Sequence, residues 1–209
     1  STKAGFPMWG GPYGKGGGRK YLVASLDASL KRMGIEYADI FYHHRPDPET
    51  PIEQTCSVLN QLVERGKALY IGISNYNREQ PEAAVRVFRE LRTPFVLNQV
   101  CYNLLDRHIE EDGLKSFAAD NGFGLIAYSP LAQGLLTERY VQGIPEDSRI
   151  KKSFTLKKET LTPSFFAKLA KLRDVATARG QSLPALALSW VPASLSELPS
   201  PNRFWRIFR

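Results

Sequence analysis

Cysteine is scarce in this sequence: two residues, Cys56 and Cys101, in a chain of 209. Two such residues offer neither a disulfide framework nor a metal-ligand cluster, and they favour a reducing cytoplasm. Long apolar runs are also lacking. None approaches the roughly 18 residues of a membrane span, so membrane insertion is not expected. The chain opens Ser1-Thr2-Lys3-Ala4-Gly5, with no basic stretch leading into an apolar one and hence no readable signal peptide. It has no initiator methionine, and further sequence upstream is expected. The glycine-rich stretch Gly10–Gly18 lacks the P-loop pattern, because no Ser or Thr follows Lys15 and the glycine required ahead of Gly14 is absent. The dinucleotide fingerprint fails as well, since Arg19 stands where its third glycine belongs. That stretch reads instead as a flexible loop.

What is present is an ordinary globular composition, 43% hydrophobic and 23% charged, with enough apolar material for a sizeable core. The net charge of +7 is unevenly placed, with one share between Arg149 and Lys158 and another in Arg203, Arg206 and Arg209. A nucleic-acid binder would show one basic stripe interleaved with aromatics or a recognisable motif, so no nucleic-acid partner is expected. Local binding of an anionic phosphate ligand accounts better for the first run.

Short apolar runs bounded by turn signals recur along the chain: Ile40–Tyr42, Leu69–Ile73, Phe95–Leu97 and Leu125–Tyr128, with a stub at Ser1–Lys3. Spacing of roughly 30 residues suits repeated strand–helix units, and the continuous apolar character suits parallel strands buried on both faces. Helical patterns lie between them. Leu22, Leu26, Leu30 and Met33 precede a stop at Gly34, and Cys56, Leu59, Leu62 and Val63 precede Gly66. Thr50-Pro51-Ile52-Glu53 predicts a helix start with Thr50 as N-cap. Further helices are expected at Ala84–Leu91, Ile109–Ala119, Pro163–Ala178 and Leu183–Trp190. Both a (β/α)8 barrel and an open doubly wound sheet fit this order.

Four segments at strand ends break the tie: Ser1–Gly5 (STKAG), Asp39–Asp47 (DIFYHHRPD), Gly72–Tyr76 (GISNY) and Tyr128–Leu136 (YSPLAQGLL). Together, in this order, they resemble the aldo-keto reductase superfamily over roughly residues 1–190. Arg45–Pro51 and Gly143–Arg149 point to the branch holding bacterial glyceraldehyde-3-phosphate-type reductases and potassium-channel β subunits. The resemblance implies a (β/α)8 TIM barrel, incomplete here, with its first two strands and its last strand missing. It also implies NADP(H) as cofactor and a small aldehyde or ketone as substrate. A homo-oligomeric state is left open.

The same resemblance implies roles for individual residues. Lys3 matches the family's active-site lysine, a cation that lowers the pKa of a tyrosine acid. His44 matches the histidine that hydrogen-bonds the substrate carbonyl. Because successive strand side chains point oppositely, only one of His43 and His44 faces the barrel mouth. Ser74, Asn75 and Gln99 match the group holding the nicotinamide carboxamide, and Tyr128 matches the aromatic stacked under that ring. Ser129, Pro130, Leu131, Ala132 and Gln133 match the loop around the pyrophosphate, with Arg139 and Arg149 as a basic clamp.

The family's catalytic tyrosine and the aspartate paired with its lysine precede the third strand, where this chain starts, so neither has a match. After Trp190 the text departs from the family, and Pro192, Pro199 and Pro201 predict that no strand or helix continues there. We therefore divide the chain into a partial barrel, 1–190, and a divergent tail, 191–209. The leading reading is a cytoplasmic reductase. The alternatives are a channel-β-subunit-like cofactor-binding partner and an inactive fragment of the reductase.

Overall fold

The computed structural model describes residues 1–11, 13–140, 146, 158–196 and 198. Arg149, the basic run up to 157 and the tail from 199 lie outside the described residues. Two compact units divide the chain. The first holds Ser1–Val100 and Ile109–Ile126, and the second Cys101–His108 and Ala127–Ser196.

Strands and helices alternate as the sequence predicts. The order is β1 (Thr2–Ala4), α1 (Arg19–Met33), β2 (Ala38–His43), α2 (Ile52–Glu64), β3 (Ala68–Ser74), α3 (Glu79–Glu90) and β4 (Phe95–Cys101). There follow α4 (His108–Glu111), α5 (Leu114–Asn121), β5 (Gly124–Tyr128), α6 (Pro163–Ala178) and α7 (Leu183–Ser194). The strands form one sheet in the order β1-β2-β3-β4-β5, and the first four pair in parallel. Sequential parallel neighbours joined by helices are the geometry of a barrel wall, whereas a doubly wound sheet reverses its order at a switch point.

Register decides which residues share a face. Lys3 stands beside Tyr42, and Tyr42 beside Gly72, while Ala4 stands beside His43 and His43 beside Ile73. One row, including Ala4, Phe41, Ile71 and Ile73, packs with Leu22, Leu26, Leu59, Leu62 and Phe88 of the helices into the core of the first unit. Burying each such side chain is worth about 1.5–3 kcal/mol. On the other face the Tyr42 ring lies over Gly72, where a Cβ would sit 2.6 Å from Cδ1. The second unit has its own core of Leu135, Leu136, Tyr140, Phe165, Leu169, Leu183 and Ala187.

Local chemistry explains most boundaries. Gly34 closes α1 in the left-handed conformation, its N–H reaching back to Leu30 and Lys31. The Thr162 and Ser182 hydroxyls accept the N–H groups of Phe165 and Ala185, each with a proline in the first turn. Three expectations fail. Thr50 does not cap α2. Its hydroxyl donates instead to the Asp47 carboxylate at 2.6 Å, and Pro51 takes the N-cap place without a side-chain bond. The helix expected over Ile109–Ala119 is two, split at Gly113, whose φ of 79° leaves the helical region. Finally, α7 runs through Pro192 to Ser194. The proline forgoes the N–H bond to the Leu188 carbonyl, and the helix continues only two residues beyond it.

Candidate active site

In the first unit the carboxyl ends of β1, β2, β3 and β4 bring together five of the residues singled out in the sequence. Lys3 reaches over the Tyr42 ring, its Nζ 4.8 Å from the centroid. His44 follows the last residue of β2, and its N–H donates to the Ala4 carbonyl at 2.8 Å. The imidazole is half-buried. Burial, then the charges of Lys3 and Arg45, hold its pKa below the usual histidine value. A neutral imidazole carries one N–H donor, the form needed to bond a carbonyl oxygen without first taking a proton.

His43 occupies the opposite face and is fully buried. Its Nδ1 lies 2.6 Å from the Tyr76 hydroxyl, and its other edge meets the backbone at Gly17. Burial lowers its pKa to about 4, against the opposing Gly16 backbone and Asp47 carboxylate. The Tyr76 phenol is pushed far up by burial, then by Cys56 and Asp47, so it stays protonated beside Nδ1. The alternation argument thus places the two histidines apart: His43 is packed among the helices, and His44 is beside Lys3.

Ser74, Asn75 and Gln99 form one hydrogen-bonded group. The Ser74 hydroxyl and the Asn75 N–H both donate to the Gln99 backbone carbonyl, at 3.0 and 2.8 Å. Asn75 adopts φ 59°, a conformation asparagine tolerates better than most residues. From there its side-chain amide donates to the His44 carbonyl at 3.0 Å and to Ser74 Oγ at 3.1 Å. The Gln99 side-chain amide, half-buried, has no hydrogen-bond partner among the described residues. It offers both a donor and an acceptor, which is what a carboxamide group requires.

In the second unit Tyr128 ends β5 with 38% of its surface exposed, a ring with room for a stacking partner. Its backbone carbonyl takes the Tyr102 N–H, and burial, then Cys101 and Asp106, raise its phenol pKa. The next segment is contorted, with positive φ at Ser129, Ala132 and Gln133. Leu131 has φ −97° and Ala132 φ 47°, and the Ala132 N–H donates to the Ser129 carbonyl at 2.8 Å within the turn. Asn103 braces the loop by donating to the Ser129 carbonyl at 3.1 Å. Pro130 is half-buried in the same loop, and Arg139 lies exposed on the short turn Glu138–Tyr140. Among the described residues no group of three or more His, Cys, Asp or Glu could hold a metal.

The aldo/keto reductase family profile matches residues 1–201. The chain belongs to that family. Among curated relatives, the L-glyceraldehyde 3-phosphate reductase of Escherichia coli is 51% identical over 195 residues, covering 91% of this chain and 56% of that one. A probable voltage-gated potassium channel subunit beta of Oryza sativa is 37% identical over 189 residues, covering 88% and 58%. The chain therefore spans a little over half the length of these relatives. Among solved structures, a glycerol dehydrogenase of Gluconobacter oxydans superposes with a TM-score of 0.76 at 28% identity, covering 95% of this chain and 60% of the other. A thermostable aldo-keto reductase solved with epalrestat gives 0.63 at 31%, covering 84% and 53%. The aldo/keto reductase fold is thus the frame for the strand-end cluster.

Two residues to which the sequence reading gave no part also stand in that cluster. The Phe6 ring meets His44 edge-on at 4.7 Å, and Arg45 lies over Phe6 at 5.0 Å. An aromatic and an arginine just past two strand ends were the available signal, and neither residue type alone is informative.

Proposed function

We propose that the protein carrying this chain is an NADP(H)-dependent oxidoreductase that reduces small aldehydes or ketones to alcohols. The observation that carries this reading is the Asn75 side chain, bonded at once to Ser74 and to the His44 backbone. That one amide ties the carbonyl-facing histidine to the residues assigned to the nicotinamide carboxamide. When bound, the cofactor supplies a hydride. The chain's own residues orient and polarise. Ser74, Asn75 and Gln99 hold the carboxamide, Tyr128 stacks on the ring, and Ser129 to Gln133 with Arg139 and Arg149 hold the pyrophosphate. His44 donates a hydrogen bond to the carbonyl oxygen, a preorganised contact that strengthens as negative charge develops there. Lys3 adds a nearby positive charge that favours a proton donor's ionised form and so eases proton delivery.

The substrate is a small carbonyl compound, and the cytoplasm is the compartment that suits its chemistry and the two free thiols. The test is NADPH consumption by the full-length protein with glyceraldehyde and related aldehydes, beside a fluorescence titration with NADPH. Turnover that depends on His44 supports the reading. A protein that neither binds NADPH nor reduces any small aldehyde would overturn it.

A further inference from the structure

Lys3, Tyr42 and Gly72 stand side by side on β1, β2 and β3. Gly72 interrupts the apolar strand between Ile71 and Ile73, where a β-branched residue would ordinarily fit the pleat. The Tyr42 ring takes the space that a side chain would fill: a Cβ there would lie 2.6 Å from Cδ1 and 2.7 Å from Cε1. A glycine inside a strand marks such a close approach. The ring is buried, with one edge resting on β3. Burial also raises its phenol pKa, so the ring is uncharged near neutral pH.

The Lys3 ammonium stands over this ring, 4.8 Å from the centroid and within cation–π range. A lysine is a point charge on a flexible stem, with no fixed direction of its own. A carboxylate would fix it by taking up its N–H groups, whereas a ring face attracts the charge and leaves most of the donors free. At this position the ammonium is near His44: after burial, its charge is the next cause of the lowered imidazole pKa. We propose that Tyr42 is the positioning residue for Lys3, its ring face holding the ammonium at the strand ends and Gly72 leaving the gap in which the ring lies. This assignment rests on the reductase reading above, in which Lys3 eases proton delivery.

The test compares the full-length protein with Tyr42→Leu, Tyr42→Phe, and position 42 filled by phenylalanines carrying one, two or three ring fluorines. Fluorine withdraws charge from the ring face with little change of size, so it weakens a cation–π contact stepwise and leaves packing nearly alone. Tyr42→Leu should lower kcat for aldehyde reduction by about 2–30-fold, the range of one such contact, with little change in NADPH affinity. Tyr42→Phe should recover most of that loss, and each added fluorine should remove part of the recovery. A flat fluorine series would show that the ring only packs, and a Phe variant as slow as the Leu variant would show that the hydroxyl acts; either overturns the proposal. The fluorine series decides by itself should Tyr42→Leu fail to fold.

A second readout needs no turnover. With carbon-13 lysine, the Lys3 Hε protons, assigned through Lys3→Arg, should resonate upfield of other lysines in the parent and in Tyr42→Phe, because they lie over a ring. They should return to the ordinary position in Tyr42→Leu. Ordinary shifts in the parent would overturn the proposal even where aldehydes are reduced. Upfield shifts in a protein that reduces no aldehyde would uphold the placement of Lys3 and sink the reductase reading alone.

Discussion

The Tyr76 hydroxyl stands 2.6 Å from Nδ1 of the fully buried His43, and it is burial that keeps the imidazole neutral. The unfolded chain titrates this histidine near 6.5, the folded one near 4. Between those values the unfolded state binds the proton first, so stability is complete above about pH 6.5 and falls as the pH drops toward 4. The loss is about 3 kcal/mol across the window. Urea unfolding at pH 7 and pH 5 should show it, and His43→Asn should flatten the dependence.

Removing the partner isolates the hydrogen bond. Tyr76→Phe leaves Nδ1 buried and unpaired and should cost about 1–3 kcal/mol at pH 7. A change within error would mean that the nitrogen finds another donor.

The two histidines should separate in kinetics. His44→Ala is expected to lower kcat/KM by about 10–1,000-fold, the scale of one preorganised donor, with little effect on the denaturation midpoint. His43→Ala should act through stability. A larger kinetic loss from His43→Ala would place the substrate on the other face of β2. In proton NMR, His44 should titrate below the usual histidine range, because burial and the Lys3 and Arg45 charges oppose its protonation. Arg45→Ala should raise that value.

Tyr42 covers Gly72 on the face that carries Lys3. A Cβ at position 72 would meet the ring at 2.6 Å, so Gly72→Ala must displace it and the lysine resting on it. The expected cost is about 1–3 kcal/mol from overpacking, with weakened turnover. Gly18→Ala is the control, since nothing lies within 4 Å of its Cβ. Equal midpoints for the two variants would refute the packing argument.

Binding should respond to the amide and the ring together. Gln99→Ala combined with Tyr128→Ala is expected to weaken NADPH binding by about tenfold or more, the loss of an amide pair and a stacked ring. Unchanged affinity by fluorescence titration would sink both assignments.

The elements most legible in the sequence were those whose signals are local. The helices expected over Pro163–Ala178 and Leu183–Trp190 are present as α6 and α7, and Gly34 announces the end of α1. That His43 and His44 take opposite faces could be read because alternation along a strand is strict; the choice of His44 came from the resemblance. Less legible was anything settled by a competing partner. Thr50 has the right chemistry for an N-cap, but Asp47 takes its hydroxyl. Pro192 looks like a barrier until its place in a last turn is known. Phe6 and Arg45 meet across two loops, and no periodicity within either loop encodes that meeting.

Asp47 also receives the Gly17 N–H at 2.7 Å and the Glu49 N–H at 3.0 Å, so a single carboxylate pegs the glycine-rich stretch after β1 to the turn after β2. Burial raises its pKa, but the bonds from Thr50, Gly17 and Glu49 outweigh that and hold it low. A Cβ at Gly16 would press on the same carboxylate at 2.4 Å. The two connections are therefore one module. Anyone transplanting substrate preference between such proteins must move both loops as a pair, because a donor loop that lacks its own aspartate, or its own glycine, arrives without its anchor.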